Sequence, residues 1–219
     1  MGWKQAIVGT AAVATLVAGS VAVARAGDDV WAAPVANLLP LPPVPVPVPP
    51  ILTAPNPAPA AVCTTTAQGV FLPTSVRLPG IAHNIPVLPL YRDANGTPGV
   101  PPLSLAGKSE MAFDLGSGIR PGAQHGNALL NAHTWPDGSA LGNRLLVQLQ
   151  PGDSIVVNGT TGRLCYRVTD RVEVPATDPG KRYYATTGPP QIALVVCSGQ
   201  RLGPGHWTKR TIWYASPVS

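Results

Sequence analysis

The amino-acid sequence predicts an all-β domain, built as a barrel or a sandwich. First, apolar runs rich in valine, isoleucine and leucine alternate with breaks rich in glycine and proline, as in proteins made of short strands. Second, the 219 residues include 27 prolines and 23 glycines but only 11% charged residues, which disfavours long amphipathic helices. Third, one segment alone, residues 140–149, repeats its leucines at helical spacing.

Seven apolar runs are predicted as strands, and an eighth strand would complete a barrel. The runs are residues 69–78, 82–90, 127–134, 154–157, 163–171, 191–198 and 208–216. The predicted helix lies between the third and fourth runs, and the turn Pro151-Gly152-Asp153 ends it. This order predicts one β-rich domain over residues 64–219, with a single core.

The N-terminal residues 1–26 are predicted to be a membrane anchor or a signal segment. Residues 6–24 carry no charge, and Lys4 and Arg25 flank them. This length matches a spanning helix better than the shorter core of a signal peptide, which favours a retained anchor and an exported domain. The alternative is cleavage after Ala26, because Ala24-Arg25-Ala26 has the form of a signal-peptidase site.

Residues 27–63 are predicted to be a proline-rich linker. The stretch PPVPVPVPP excludes a helix and favours polyproline II, a stiff and extended conformation. A disordered tether is the alternative, and either form would hold the domain away from the membrane.

The charge pattern disfavours nucleic acid as a partner. The net charge is +5, but the arginines of the domain are scattered singly, without a basic run or interleaved aromatic residues. Attraction to an anionic polymer or lipid of the cell envelope fits this distribution better.

Cys197 is the candidate nucleophile. It ends the run QIALVVC and precedes Ser198-Gly199, so the pattern places a thiol at the end of a strand. An exported chain with three cysteines has one left over from any single disulfide. Cys63 and Cys165 are then either a disulfide pair or two unpaired thiols, and the sequence leaves both alternatives open.

His133 and Arg210 are the candidate partners of the thiol. His133 lies where the run NALLNA breaks into the turn TWPDG, and Arg210 lies in the strand-like run WTKRTIWYA. If the strands that end in Cys197 and contain Arg210 form a hairpin, the guanidinium lies alongside the thiol and could stabilise an oxyanion. A thiol, an imidazole and a guanidinium are the parts of a thiolate acyl-transfer site.

Three motifs, in this order, resemble those of one protein family. His133 in NAHTWPDGSALGN, Cys197 in IALVVCSG and Arg210 in HWTKRTIWYA are similar to the His, Cys and Arg of sortases. The first motif resembles the actinobacterial class F branch, and the resemblance spans about residues 69–215. Many sortases read T-L-x-T-C at the cysteine, whereas this chain has Ala193 and Val196 in place of both threonines.

The resemblance implies a closed eight-stranded β-barrel with one or two short helices and a cysteine transpeptidase without a cofactor. Cys197 would cleave an LPxTG-type sorting signal between Thr and Gly and hold the acyl part as a thioester. His133 would protonate the leaving amine and later deprotonate the incoming one, while Arg210 would hold the signal and stabilise the oxyanion. An amine of a peptidoglycan precursor would then resolve the thioester.

The resemblance also implies the walls of the signal groove. The loop at residues 178–190 would form one wall, with Tyr183 and Tyr184 as apolar contacts and Val196 close to the thiol. Trp207 would flank the site or pack on the barrel. No metal site is expected, since the histidines lack the spacing of metal ligands and no acidic cluster is present.

Two rival functions keep the β-rich fold but change the chemistry. An L,D-transpeptidase or another cell-wall cysteine hydrolase also pairs Cys with His, but such transpeptidases have a glycine before the cysteine, where this chain has Val196. A non-catalytic surface module on a proline stalk would need no free thiol.

Overall fold

The computed structural model describes residues 63–218. The predicted membrane segment and nearly all of the predicted linker lie outside these residues. Eight strands are present: β1 Pro73–Leu78, β2 Ala82–Leu90, β3 Met111–Asp114, β4 Asn127–Ala132, β5 Ser154–Gly159, β6 Gly162–Pro175, β7 Gln191–Gly203 and β8 His206–Pro217. Helix α1 spans Leu141–Gln148 and α2 spans Gly180–Tyr183, and short 3₁₀ turns cover Gly107–Ser109 and Leu115–Ser117.

The strands close into a barrel in the order β1-β2-β3-β4-β7-β8-β6-β5, and β5 pairs with β1 to complete it. Two neighbouring pairs, β2 with β3 and β4 with β7, are parallel, and the others are antiparallel. The prediction of a closed eight-stranded barrel with one or two short helices is therefore confirmed.

Strand β3 is the element that the sequence pattern did not predict. It has four residues, all buried, so it offers neither the length nor the alternation that marks a strand. Because it runs parallel to β2, the chain must cross over between them, and it does so through the long segment 91–110. That segment passes next to the candidate site.

The two faces of the barrel wall carry different apolar clusters. Side chains alternate between the faces of a strand, and on β7 the residues Ile192, Leu194 and Val196 belong to the inner core. Ala193, between them, belongs to a smaller cluster on the outer face. Because both faces are covered, β7 is an almost continuous apolar run, which is why alternation is hard to see in its sequence.

The outer cluster locates the site. It joins Leu129 of β4, Ala193 of β7, Ile212 and Tyr214 of β8, and Tyr183 of α2. Counting by twos along the strands places His133, Cys197 and Arg210 on this same outer face. The three candidate residues therefore lie on the outer face of the barrel, next to the outer apolar cluster.

The start of the described chain is fixed to the barrel by a disulfide. Cys63 and Cys165 are bonded, with their Cα atoms 5.9 Å apart. Cys165 lies in β6, and its carbonyl also accepts a hydrogen bond of 2.8 Å from the backbone N–H of Val218. Both ends of the described chain therefore meet at β6.

Candidate active site

Cys197 and Arg210 are direct partners across the β7–β8 hairpin. The register pairs Cys197 with Arg210 and Ser198 with Lys209. The Cβ atoms of such directly opposed residues lie about 5 Å apart, so the guanidinium is within reach of the thiol. Lys209 points to the other face, where its Nζ is 2.9 Å from a carboxylate oxygen of Glu173.

His133 follows β4 at the level of the thiol. Strands β4 and β7 run parallel with Ala132 opposite Val196, so the next residue of each strand is His133 and Cys197. Two hydrogen bonds fix this point: the Thr134 hydroxyl donates to the carbonyl of Cys197 (2.7 Å), and the backbone N–H of Gly142 donates to the carbonyl of His133 (2.8 Å).

Gly142 has to be a glycine for this contact. A Cβ atom at this position would overlap the carbonyl oxygen of His133 and the Thr134 hydroxyl. The first turn of α1 therefore packs directly on the backbone that carries the imidazole. This contact explains locally why the motif HTWPDGSALGN continues from a strand end into a short helix.

A cleft with a volume of about 240 Å³ opens at these three residues. Its lining includes all three, together with the predicted groove residues Tyr183, Tyr184 and Val196. Tyr183 is 3% exposed and Tyr184 40% exposed, so the second of them offers most of the aromatic surface. Trp207 does not line the cleft; it pairs with Arg201 nearer the tip of the hairpin.

The loop before β7, which the resemblance implied as a wall of the signal groove, lines one side of the cleft. The amide of Asn127 on β4 donates to the carbonyl of Arg182 (2.6 Å) and to that of Tyr183 (3.1 Å), so it ties α2 to the barrel. Ala176 and Pro179, which precede α2, also line the cleft.

The segment 91–110 forms the opposite wall. Its residues Thr97, Pro98 and Val100 line the cleft. The carbonyl of Pro101 lies 2.6 Å from Nε2 of His133, and the carbonyl of Gly99 accepts a hydrogen bond of 2.8 Å from the Asn131 amide. No pattern in the sequence indicated a role for this segment.

Asp114 makes an ion pair with Arg92 that the sequence did not predict. Its carboxylate is fully buried and accepts hydrogen bonds from Nε (2.9 Å) and Nη2 (2.6 Å) of Arg92. The guanidinium of Arg92 in turn lies 5.5 Å from the centre of the Tyr184 ring. A charge pair with a buried carboxylate and a partly exposed guanidinium therefore supports one of the aromatic residues of the cleft.

Burial determines the protonation state of the Cys197 thiol. Cys197 is half-buried, and desolvation raises its pKa above the ordinary value for cysteine. The positive charge of Arg210 acts against this and lowers the pKa, with the smaller effect. The thiol is therefore mainly protonated near neutral pH, and a base is needed to form the thiolate that attacks a carbonyl.

A thiol, an imidazole and a guanidinium that share one cleft have the composition of an acyl-transfer site with a cysteine nucleophile. The chain belongs to the sortase family, because the Sortase domain model matches residues 76–218. Family membership implies a cysteine transpeptidase.

Two solved sortase structures with TM-scores above 0.5 support the fold, and a third is similar at a lower score. Sortase C1 of Streptococcus agalactiae is 18% identical, with a TM-score of 0.51 over 67% of this chain and 67% of that one. The pilus-related sortase C of Group B Streptococcus is 14% identical, with a TM-score of 0.51 over 71% and 70%. Sortase A of Listeria monocytogenes is 19% identical, with a TM-score of 0.47 over 66% and 86%.

The family model establishes the sortase family but not the class F branch. No curated protein sequence matches the chain. Within residues 63–218, no helix has the length and apolar character needed to cross a membrane. In the same part of the chain, no three His, Cys, Asp or Glu side chains are grouped as metal ligands.

Proposed function

We propose that this protein is a class F sortase that cleaves LPxTG-type sorting signals and transfers the acyl part to an amine. The observation that carries the proposal is the meeting of Cys197, His133 and Arg210 on one face of the barrel, at one cleft. The class F assignment rests on the motif around His133.

The reaction has two halves. His133 takes the proton of the Cys197 thiol, and the thiolate attacks the carbonyl carbon of the signal threonine. The Thr–Gly bond then breaks as the resulting imidazolium of His133 gives that proton to the leaving amine. An amine of a peptidoglycan precursor then attacks the thioester. His133 takes the proton of this amine, the C–S bond breaks, and the Cys197 thiolate is restored.

Arg210 is assigned to the developing oxyanion and to the signal. Its position directly across from Cys197 supports this assignment, because a cation there lies on the same side of the hairpin as the sulfur that attacks, at a partly dehydrated cleft where charge stabilisation is strong. The planar guanidinium can bond the oxyanion and a signal carbonyl at the same time.

We assign the sorting signal of the substrate to the cleft between the segment 91–110 and the loop before β7. Tyr184 supplies the largest apolar contact, and Tyr183 is nearly buried beside it. Val196 borders the cleft, but its side chain belongs to the inner core and offers the signal almost no surface. Trp207 is not part of this proposed set, because it lies outside the lining of the cleft.

The domain is proposed to act outside the cytoplasm, tethered through residues 6–24. Sortases are extracytoplasmic, and a tether holds enzyme and membrane-held precursor in one plane, which raises their effective concentration. N-terminal sequencing of the mature protein tests this. An intact N-terminus in the membrane fraction is expected, and a chain that starts at Gly27 in the medium would mean a secreted enzyme.

The activity is tested with the full-length protein and an LPxTG reporter peptide. Mass spectrometry should find a thioester on Cys197 that ends in the signal threonine, and an added amine nucleophile should shift the product from acid to amide. A chain that labels only with peptidoglycan stem peptides would be an L,D-transpeptidase instead. A chain that labels with neither would be a non-catalytic module.

A further inference from the structure

The segment 91–110 contacts the imidazole through its backbone. The carbonyl oxygen of Pro101 lies 2.6 Å from Nε2 of His133. A carbonyl oxygen can only accept, so Nε2 must carry a proton for this contact to be a hydrogen bond. The proton at Nε2 is then held in both charge states of the ring, and Nδ1 is the nitrogen that can give and take a proton.

The position of the Pro101 carbonyl depends on Asn131. The amide of Asn131, 7% exposed on β4 and two residues before His133, donates to the carbonyl of Gly99 at 2.8 Å. Between this bond and the Pro101 carbonyl lies only Val100. The strand that carries the imidazole therefore also holds the loop that orients it.

The residue types of the segment 91–110 limit the movement of the Pro101 carbonyl. A Cβ atom on Gly99 would lie 2.6 Å from Cβ of Leu90, so glycine allows the loop to pack against the end of β2. Pro101 and Pro102 each fix one backbone dihedral, which limits how far the carbonyl can swing.

A second set of contacts fastens the far end of the loop. Nζ of Lys108 donates to Asp137 (2.8 Å) and to the hydroxyl of Ser139 (2.6 Å). The same ammonium lies 4.1 Å from the centre of the Trp135 ring. The segment is thus attached both before and after its contact with His133, and the turn TWPDGS after the histidine takes part in the second attachment.

We propose that Asn131 is a positioning residue that holds the Gly99–Pro101 backbone so that His133 keeps its proton on Nε2 and exchanges protons through Nδ1. The role in turnover rests on the proposed transpeptidase function, whereas the effect on the ring does not. In the acylation step, the proton on Nδ1 passes to the leaving amine. The proton on Nε2 stays on that nitrogen and keeps its hydrogen bond to the Pro101 carbonyl. In the second step, Nδ1 takes the proton of the incoming amine.

The test compares Asn131→Ala with Asn127→Ala in the full-length protein. Both residues are buried asparagines of β4, and both donate from the side-chain amide to loop carbonyls, but Asn127 holds α2 instead of the segment 91–110. Histidine labelled with ¹⁵N reports the protonated nitrogen from two-bond ¹H–¹⁵N correlations. His133→Gln assigns the signal among the four histidines.

In the unaltered protein and in Asn127→Ala, His133 should show one tautomer with the proton on Nε2. In Asn131→Ala, His133 should show a mixture of the two tautomers. The kcat on the LPxTG peptide should fall roughly 10- to 100-fold, because a catalytic group is misplaced, while KM should change less than about threefold. Asn131→Leu keeps about the size of the side chain and removes the donor. It should behave like Asn131→Ala, and it guards against a variant that fails to fold.

Three results would overturn the proposal. One is an unchanged His133 tautomer in both Asn131 variants. Another is an equal change in Asn127→Ala, which would show general loosening of β4. The third is a changed tautomer with kcat within twofold of the unaltered protein. If the unaltered protein does not cleave the peptide, the transpeptidase proposal fails separately, and the tautomer comparison still decides whether Asn131 positions the ring.

Discussion

The hydroxyl of Thr134 donates a hydrogen bond of 2.7 Å to the main-chain carbonyl of Cys197, a residue 63 positions later in the sequence. The bond ties the chain just after β4 to the middle of β7, one residue after the imidazole and at the residue that carries the thiol. The sequence had predicted the thiol at a strand end, but β7 continues to Gly203. Because a short, 7% exposed side chain joins the two backbones, the spacing of His133 and Cys197 is set by the barrel wall. Flexible side chains have little part in it.

Thr134→Val should therefore weaken both stability and activity. The variant keeps the shape of the side chain but leaves a buried carbonyl without its donor, which costs about 1–3 kcal/mol in the free energy of unfolding. Urea unfolding and kcat on the reporter peptide measure the two effects. Thr74→Val is the matched control, because the Thr74 hydroxyl donates to the Asn158 carbonyl at an exposed site over 3.3 Å. Equal losses in the two variants would contradict the expectation.

Cys197→Ala and His133→Ala should each abolish cleavage of the LPxTG peptide while the fold remains intact. One variant removes the nucleophile and the other removes the group that moves the proton, and neither has a substitute in the cleft. Peptide cleavage and circular dichroism measure the two properties. His83→Ala, at an exposed position of β2, should keep full activity. Cleavage above about one percent in Cys197→Ala would exclude the thiol as nucleophile.

Arg210→Lys should fail almost as severely as Arg210→Ala. An ammonium keeps the charge but cannot bond an oxyanion and a signal carbonyl with the fixed fork of a guanidinium. Steady-state kinetics of both variants decide the point, and Arg201→Lys on the exposed part of the hairpin is the control. A lysine variant that works within a few-fold of the unaltered protein would show that charge alone is needed.

The reactivity of the thiol should depend on pH in a direction that the cleft sets. Burial raises the pKa of Cys197, and only the thiolate reacts, so the rate of alkylation by iodoacetamide should still rise above the pH at which a free cysteine levels off. Arg210 lowers this pKa, so Arg210→Gln should move the curve to higher pH. Lys209→Gln, on the other face, should leave the curve in place. A shift to lower pH in Arg210→Gln would contradict the assignment.

The parts of the site that could be predicted from sequence are those that follow strand geometry. Cys197 and Arg210 lie in neighbouring apolar runs joined by a glycine-containing turn, so a hairpin brings them together with few alternatives. The parallel pairing of β4 with β7 is different, because it joins segments separated by two helices and two strands. The turn after the run NALLNA marked His133 as a candidate partner, but no spacing in the sequence indicated the strand pairing that places it at the level of Cys197.

The missed features depend on contacts that leave no local pattern. The segment 91–110 is irregular, and its contribution to the site comes from backbone carbonyls, which every residue has. Asp114 ends a four-residue strand, and its partner Arg92 lies in a loop, so no spacing rule connects them. Only the fold shows that this pair lies behind Tyr184.

The disulfide between Cys63 and Cys165 should account for much of the stability of the domain. It closes a loop with a sequence separation of 102, for which chain entropy gives about 4–5 kcal/mol. Unfolding in urea, with and without a reductant, measures the contribution in a Cys197→Ala background, where no other thiol interferes. Cys63→Ala in the same background breaks the bridge while it leaves the buried Cys165 in place, and it should match the reduced protein.

Thiol titration gives the independent check on that pairing. The protein has three cysteines, so the unfolded but unreduced chain should show one free thiol, and iodoacetamide labelling should place it at Cys197. After reduction the count should rise to three. A count of three before reduction would mean that Cys63 and Cys165 are not bridged, and the loss of stability on adding reductant should then vanish as well.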